Sequence, residues 1–574
     1  MLRLLIYRPQ VMGSLVVVVL GLLAIAGVRV LADRIGVGAP LLLVLVGVGV
    51  SVLPGVPVVE IEPEWILAGI LPPLLFSSAV AMPSMDFRRA FGAVSGLSVL
   101  LVVISSVAIG LVADLLVPGL GLAGGIALGA ILSPTDAAAT AIVRRVGVTS
   151  RVTTVLEGEG LLNDATALVL LRAAIAASAA TVSIGGVVGR FALAVVVAVA
   201  IGLVVGGLGL LARRHVTGPA VNTLLSFATP FVASIPAEEL GASGLVAAVT
   251  AGLVTGHGAT RWLPVRHRLS DTETWRIVEL VLEGTIFLLM GLQLTAVLED
   301  LHRSGAAGSL GLLVAAVALV ATVVVRAGYV SVLVLWLRSS ARRGSDMQSQ
   351  LQDMDAQLQA GEEVTIRGRP VSLTTPQRIA RFQERVRLKI ADIDYFRAAP
   401  LGPREGAVVV WAGMRGAVTL AAAQTLPIGF PQRSLLVFVA FAVAAGSLLL
   451  QGGTLALLVR WVAPAPAEVS SIAEQEALTE RLTAANLAVL DRHAGEPEVA
   501  AYRERLAAQG GRPDPATSTD TRIRVRLEMI EAQRTALLAA RDEGRFTSAA
   551  LTAALENLDA EQISLELRGN SAWT

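Results

Sequence analysis

Residues 157–164 read Glu157-Gly158-Glu159-Gly160-Leu161-Leu162-Asn163-Asp164, set inside an otherwise apolar stretch. An aspartate at the centre of a bilayer costs roughly 2.5–3.5 kcal/mol on insertion scales. Such residues face a cavity or a partner and mark routes for ions and protons. At about 100° per residue, Asp164 lies roughly 140° around a helix from Glu159, so carboxylates from one helix can meet oxygens from two neighbours. Carboxylate and amide oxygens suit a hard cation, and an ionisable aspartate can hold a proton instead.

The surroundings of this cluster set the fold class. The chain has 574 residues, 54% of them hydrophobic and 16% charged, and its mean hydropathy is +0.70. That charge content is well below the roughly 25% of soluble domains. Long apolar runs recur, so the expected architecture is an all-α polytopic membrane protein. Thirteen apolar segments are read near 11–31, 36–54, 63–82, 91–117, 120–143, 152–178, 184–212, 220–236, 240–257, 274–298, 308–337, 405–426 and 433–463. The two at 220–236 and 240–257 are short, and Glu238/Glu239 between them argue for a turn. The start, Met1 to Gln10 and then an apolar run, imitates a signal peptide but lacks a small-x-small cleavage site, so it reads as the first span.

Arginines mark alternate loops: Arg88/Arg89, Arg144/Arg145/Arg151, Arg213/Arg214 and Arg261/Arg266/Arg268. The intervening loops hold Glu60/Glu62/Glu64, Glu238/Glu239 or almost no charge. The positive-inside rule places the arginine loops in the cytoplasm, with the N-terminus outside and the C-terminus inside. Arg3 and Arg8 disagree and are outweighed by the later loops. The membrane domain is expected at 1–463, with a cytoplasmic insertion at 338–404. A helical cytoplasmic tail is expected at 464–574, starting at Pro464-Ala-Pro466. Tail helices are expected near 468–491, 497–508, 521–542 and 546–567, with a flexible break at 510–520.

Further polar groups lie within the apolar segments. Ser133-Pro134-Thr135-Asp136 interrupts the fifth; proline removes a backbone donor, and a helix broken here exposes amides and carbonyls that need partners. Asp136 is placed to neutralise the positive end of the second half-helix, or simply to cap a kink. Segment ten holds Glu279 and Glu283, segment eleven Arg326, and segment twelve Gly413-Met414-Arg415-Gly416. Each arginine reads either as an ion pair fixing the packing or as compensation for half-helix ends.

Absences narrow the function. There are no cysteines, hence no disulfides and no thiolate metal sites. The five histidines fall at loop or tail positions and suggest no transition-metal cluster. Lys389 is the single lysine and no P-loop exists, so any transport draws on an ion gradient or on ATP hydrolysed elsewhere. A net charge of +1 argues against nucleic acid.

These residues together resemble the bacterial monovalent cation:proton antiporter family that includes the sodium/proton exchangers. The matching stretches are Leu71–Phe76, Ser133–Asp136, Glu157–Asp164, Ala237–Glu239 through Gly256, Ile286–Gly291 and Met414–Val418, with Arg541–Gly544 and Leu558-Asp559 in the tail. The pattern ending in Asn163-Asp164 is the most specific.

The resemblance implies thirteen helices, an inverted repeat, and two broken helices crossing near mid-membrane at Pro134/Thr135 and Gly413/Arg415. It implies a secondary transporter, not an enzyme, without cofactors. Such a protein exchanges Na⁺, or K⁺ or Li⁺, for H⁺ across the cytoplasmic membrane, and is usually a homodimer. Asp164 would bind cation and proton alternately. Asn163 and Glu159 would orient it or help to coordinate, and Thr135 would give an oxygen to the ion. Asp136, Arg415, Arg326 and Glu283 would compensate charge. Asn163, where electrogenic relatives carry a second aspartate, points to electroneutral exchange. Three positions depart from the family pattern: Gly160 replaces a common serine, Ser77 a common acidic residue, and Glu283 a common asparagine. A cation channel on the same fold and a membrane-anchored sensor are the rival readings.

Overall fold

The computed structural model describes residues 2–54, 62–136, 138–179, 184–360, 365–366, 369–370, 376–398, 401–462, 472–493 and 519–571. The chain divides into two compact units. The first holds Met1–Trp336 and Leu401–Ala467; the second holds Leu337–Pro400 and Glu468–Thr574, so the insertion and the tail share one unit.

Each of the apolar segments is built mainly of helix where described, and the segments at 120–143 and 405–426 are interrupted by non-helical backbone. Among the described residues, eight helices are long and apolar enough to cross a membrane. The segments Ala39–Ser51, Trp65–Ala81 and Gly121–Leu132 are shorter apolar helices. The segment expected at 220–236 is a full-length helix, Pro219–Glu239, followed by Gly244–Trp262. The turn therefore falls after the two glutamates. Glu238 stays helical and accepts a hydrogen bond from the Gly244 amide at 3.0 Å, tying the end of one helix to the start of the next.

Among the described residues, three stretches wind as π-helix: Trp65–Ile70, Gly96–Leu101 and Leu448–Gly452. Hydropathy gives no signal for them, because an apolar run looks the same in either winding.

Two groups of helices make up the membrane unit. In one, Leu71–Ala81, Ile184–Arg213, Pro219–Glu239, Gly244–Trp262 and Val265–Leu292 pack together, with Ala39–Ser51 on the last. Its core is largely small: Ala198, Ala233, Ala237 and Ala247 surround Phe76 and Trp275. Small residues let helices approach where lipid provides no hydrophobic drive between them. At one end Arg213 is 1% exposed. Its Nε donates to Asn222 Oδ1 at 2.9 Å, and it pairs with Asp271. Arg213, read from sequence as a loop charge, is a buried anchor among three helices.

In the other group, Val102–Leu116, Gly121–Leu132 and Ser150–Ala179 pack around the first helix break, and Ala417–Gln424 and Arg433–Ser447 around the second. A Cβ at Gly129 would overlap the Ser106 carbonyl. Only glycine allows that approach, and it brings Ser133 Oγ to 3.0 Å from Ser105 Oγ and 2.9 Å from Ser106 Oγ.

In the second unit, Ile472–Arg492, Thr519–Glu543 and Ser548–Ser571 form a bundle. Leu478, Ile530, Leu537 and Leu551 lie in its core. Arg481 Nη2 holds Glu543 Oε1 at 2.6 Å. The insertion contributes Pro376–Ala398 and a two-residue hairpin pairing Thr365–Ile366 with Arg369–Pro370. Glu60, Pro464–Pro466, the helix expected at 497–508 and residues 510–518 of the expected break lie outside the described residues, as do the side chains of Arg3 and Arg8.

Candidate functional site

The site is built where two interrupted helices meet. Gly121–Leu132 stops before Ser133-Pro134-Thr135-Asp136, and helix resumes at Ala138–Val146. Pro403–Trp411 stops before Ala412–Gly416, and helix resumes at Ala417–Gln424. The two breaks are joined through the backbone: the Asp136 amide donates to the Met414 carbonyl at 2.9 Å. A broken helix leaves amides at one end and carbonyls at the other with no intrahelical partner. In an apolar layer every one of these groups must be satisfied by protein.

Charged side chains perform much of that task. Asp136 Oδ1 accepts from the Ala138 amide at 2.8 Å, capping the resumed half-helix. A Cβ at Gly416 would overlap the Asp136 carboxylate, so Asp136 also lies against the start of Ala417–Gln424. A carboxylate near two helix N-termini is where the backbone dipoles favour it. Arg415 is 3% exposed. Its Nε donates to the Leu132 carbonyl at 2.6 Å, and its Nη1 donates to the Gly413 carbonyl. The sequence leaves either a carboxylate or half-helix carbonyls as partners of Arg415; the structure brings the carbonyls. Ser447 Oγ completes the clamp, accepting from the Arg415 amide at 2.9 Å.

The cluster of residues 157–164 lies on Ser150–Ala179, which packs against Gly121–Leu132. Glu159 and Arg326 form a pair whose side chains are each 2% exposed. The guanidinium is bidentate: Nη1 meets Glu159 Oε1, and Nη2 donates to Oε2 at 2.7 Å. Its Nε donates to the Val409 carbonyl at 3.0 Å, reaching the end of the second broken helix. A forked guanidinium matches a carboxylate in this way where an ammonium would not. The resemblance has Glu159 orient the aspartate or help to coordinate the cation; in the structure both of its carboxylate oxygens are engaged by Arg326.

A short relay leads from this pair toward the aspartate. Thr135 Oγ1 donates to Glu159 Oε1 at 3.4 Å, and Asn163 Nδ2 donates to Thr135 Oγ1 at 2.6 Å. Asn163 and Asp164 are 0% and 4% exposed. Asn163 Oδ1 and Asp164 Oδ1 are both buried with no hydrogen-bond partner among the described residues. Buried oxygens are rarely left so, and each demands an explanation such as an ion. Here the two come from adjacent residues, an amide and a carboxylate, which is the donor chemistry of a hard monovalent cation. Gly160 faces open space: a Cβ there would meet only the Thr135 carbonyl, at 4.0 Å.

Glu157, the remaining acid of the cluster, points to the other side and pairs with Arg144. Glu283 makes no hydrogen bond or salt bridge among the described residues. Ser77, one of the three departures, donates to Glu279 Oε1 at 2.5 Å, so a carboxylate reaches segment three from segment ten. Among the described residues no group of three His, Cys, Asp or Glu is arranged to hold a metal ion.

The Arg326–Glu159 pairing, the Ser447 clamp and the Asp136–Met414 link are the elements that sequence reasoning missed. Arg326 carried a signal, as a mid-membrane charge, but its partner lies 167 residues away. Ser447 carried none.

Residues 19–461 match the family described as sodium/hydrogen exchanger, transmembrane. The chain is 30% identical over 581 residues to an uncharacterised Na⁺/H⁺ exchanger of Mycobacterium tuberculosis, covering 97% of this chain and 96% of that one. It is 29% identical over 308 residues to a sodium, potassium, lithium and rubidium/H⁺ antiporter of Bacillus subtilis, covering 50% of this chain and 45% of that one. A solved sodium proton antiporter from Methanocaldococcus jannaschii is similar in fold, with a TM-score of 0.53 at 16% identity, over 79% of this chain and 99% of that one.

Proposed function

The chain belongs to the sodium/hydrogen exchanger family, and from that premise we propose that it exchanges Na⁺, or K⁺ or Li⁺, for H⁺ by alternating access. The observation that carries the reading is the pair of buried, unpartnered oxygens on Asn163 and Asp164 beside the crossing of two broken helices. Asp164 holds the cation or the proton in turn. Asn163 and Thr135 lend oxygen to the cation. Glu159 positions them: clamped by Arg326, it accepts from Thr135, and Thr135 accepts from Asn163. Asp136 and Arg415 neutralise the half-helix ends, so the breaks persist without water.

Stoichiometry follows from this arrangement. Glu159 and Arg326 cancel, leaving Asp164 as the group that exchanges its occupant. Aspartate with one proton and aspartate with one monovalent cation carry the same charge, so the cycle is electroneutral. The protein sits in a bacterial cytoplasmic membrane with its N-terminus outside and the 464–574 tail in the cytoplasm, a placement supported by the arginine-bearing loops.

The test is proton flux in everted vesicles on addition of Na⁺, K⁺ or Li⁺. Wild type shows cation-dependent flux, and Asp164→Asn, purified and correctly assembled, shows none. Retained flux in that variant would remove Asp164 from the mechanism. In liposomes clamped at −100 mV without ion gradients, an electroneutral exchanger accumulates no cation. An electrogenic cycle would feel about 2.3 kcal/mol per elementary charge per 100 mV, and sustained accumulation would overturn the one-for-one reading.

A further inference from the structure

The two groups of helices in the membrane unit meet along a seam, and polar side chains cross it. Ala417–Gln424 runs from the second break to Gln424, and Val265–Leu292, of the other group, ends at Gln293. Gln424 Nε2 donates to Gln293 Oε1 at 3.1 Å. Gln293 is 1% exposed. Its own Nε2, and Oε1 of Gln424, are buried with no hydrogen-bond partner among the described residues. Turning both amides over exchanges donor for acceptor and still leaves one group on each glutamine unmet by the other. A buried polar contact that only fixes a structure is normally satisfied throughout. This one is made by half of its groups.

Arg433 sets the position of Gln424. Its Nη2 donates to the Gln424 carbonyl at 3.2 Å and its Nε to the Leu426 carbonyl at 2.8 Å, a cation at the C-terminal end of the half-helix. Its Nη1 comes within 3.9 Å of Asp300, on the helix that continues from Gln293. A second crossing lies at the same end. Arg172, about two turns beyond Asp164 on Ser150–Ala179, donates to Glu238 at 3.0 Å. Pro219–Glu239 and Val265–Leu292 run side by side in one direction, with Asn222 against Asp271 and Ser226 against Trp275, so Glu238 and Gln293 close the same end. The opposite end is crossed by Arg145 and Asp33 at 2.7 Å and by Ser84 and His257 at 3.1 Å. Those pairs lie at the surface, where water replaces such bonds.

We propose that the Gln293–Gln424 contact is a latch: it holds the half-helix Ala417–Gln424 against the end of Val265–Leu292 while that end is shut, and it opens once in every exchange cycle. This rests on the exchange reading above. Alternating access moves one bundle of helices against the other around the ion site. Contacts across the seam must then break and reform, and one neutral hydrogen bond between amides breaks more readily than a buried charged pair. The unmet donor and acceptor are taken up by water when the groups part. While the latch is closed, Asp164 is shut off from water on that side.

The chain has no cysteine, so introduced thiols report alone. The experiment is Na⁺-dependent proton flux in proteoliposomes of Gln293→Cys/Gln424→Cys, before and after the two thiols are joined by a bifunctional reagent as long as the side chains it replaces. The expected result is a fall on the order of tenfold or more on joining, reversed by a reductant, because that end no longer opens. Thr223→Cys/Ser270→Cys, whose hydroxyls lie 3.2 Å apart within the group that carries Val265–Leu292, stays within about twofold when joined. A joined Gln293→Cys/Gln424→Cys protein that exchanges as fast as the unjoined one overturns the proposal. If the double variant does not assemble or does not join, Gln293→Cys and Gln424→Cys singly decide. A membrane-impermeant thiol reagent added during exchange labels them, and exchange at the full rate with neither labelled overturns the proposal. No cation-dependent flux from wild type would instead defeat the exchange reading, so the two failures are distinguishable.

Discussion

Replacing Arg326 by methionine tests what the Glu159–Arg326 pair does. The substitution keeps length and apolar bulk but deletes three hydrogen bonds, two to Glu159 and one to the Val409 carbonyl. Glu159 then remains a buried carboxylate, 2% exposed, keeping from its side-chain hydrogen bonds among the described residues just the Thr135 hydroxyl at 3.4 Å. Removing one member of a buried pair costs about 3–5 kcal/mol, because the other charge is left uncompensated. Removing both is commonly near neutral, because desolvation of the pair offsets most of its attraction. Glu159→Gln/Arg326→Met should therefore lie within about 2 kcal/mol of wild type. The assay is unfolding in mixed micelles of increasing denaturing detergent for wild type, both single variants and the double. An additive double, with coupling below about 0.5 kcal/mol, would refute the reasoning. Transport adds a second arm. If Glu159 only positions Thr135 and Asn163, the double variant keeps some cation-dependent flux through Asp164. A stable double variant with no flux at any cation concentration would show that Glu159 is a ligand after all.

Other outcomes are expected from the same geometry. Arg415→Ala leaves the Leu132 and Gly413 carbonyls without their donor. At about 1–3 kcal/mol for each unsatisfied group, most of the protein should misassemble, and wild-type thermostability in detergent would count against this. Gly416→Ala forces a methyl into the Asp136 carboxylate and should abolish exchange, whereas Gly160→Ala, with open space around it, should fold and transport; equal effects of the two would contradict the packing. Deleting 464–574 should leave exchange measurable while shifting its pH dependence or rate, and complete loss at every pH in a folded truncation would place transport machinery in the tail. Arg481 holds the Glu543 carboxyl below its usual value of 4.5 through a direct hydrogen bond. A depressed carboxyl stabilises above its unfolded pKa and loses that contribution only as pH falls through the folded value. Glu543→Gln should therefore leave the pH profile of exchange near neutrality unmoved, and a displaced profile would show that the pair senses pH.

Much of this protein was legible without coordinates, for a physical reason. A bilayer core penalises every unpaired polar group, so apolar runs announce helices, and a charge within such a run announces a site. Asp164, Asn163, Arg326 and Arg415 stand out by that rule alone, and proline within Ser133–Asp136 marks a break because it removes a donor. The rule says that a charge needs a partner; it does not say which. Glu159 could have faced the cation or an arginine, and Arg415 a carboxylate or carbonyls. These choices depend on where helices separated by 167 or 283 residues come to rest. Arg213 likewise reads as a loop cation but is buried, because Asp271 and Asn222 arrive from two other helices. Hydropathy could not distinguish π-winding from α, nor foresee that Glu279 would reach Ser77. The sequence alone determined that this is a helical membrane protein with an ionisable site at residues 157–164. Tertiary structure alone decided which of its carboxylates are neutralised and which oxygens stay open, because partnership between buried charges is set by packing across the whole chain.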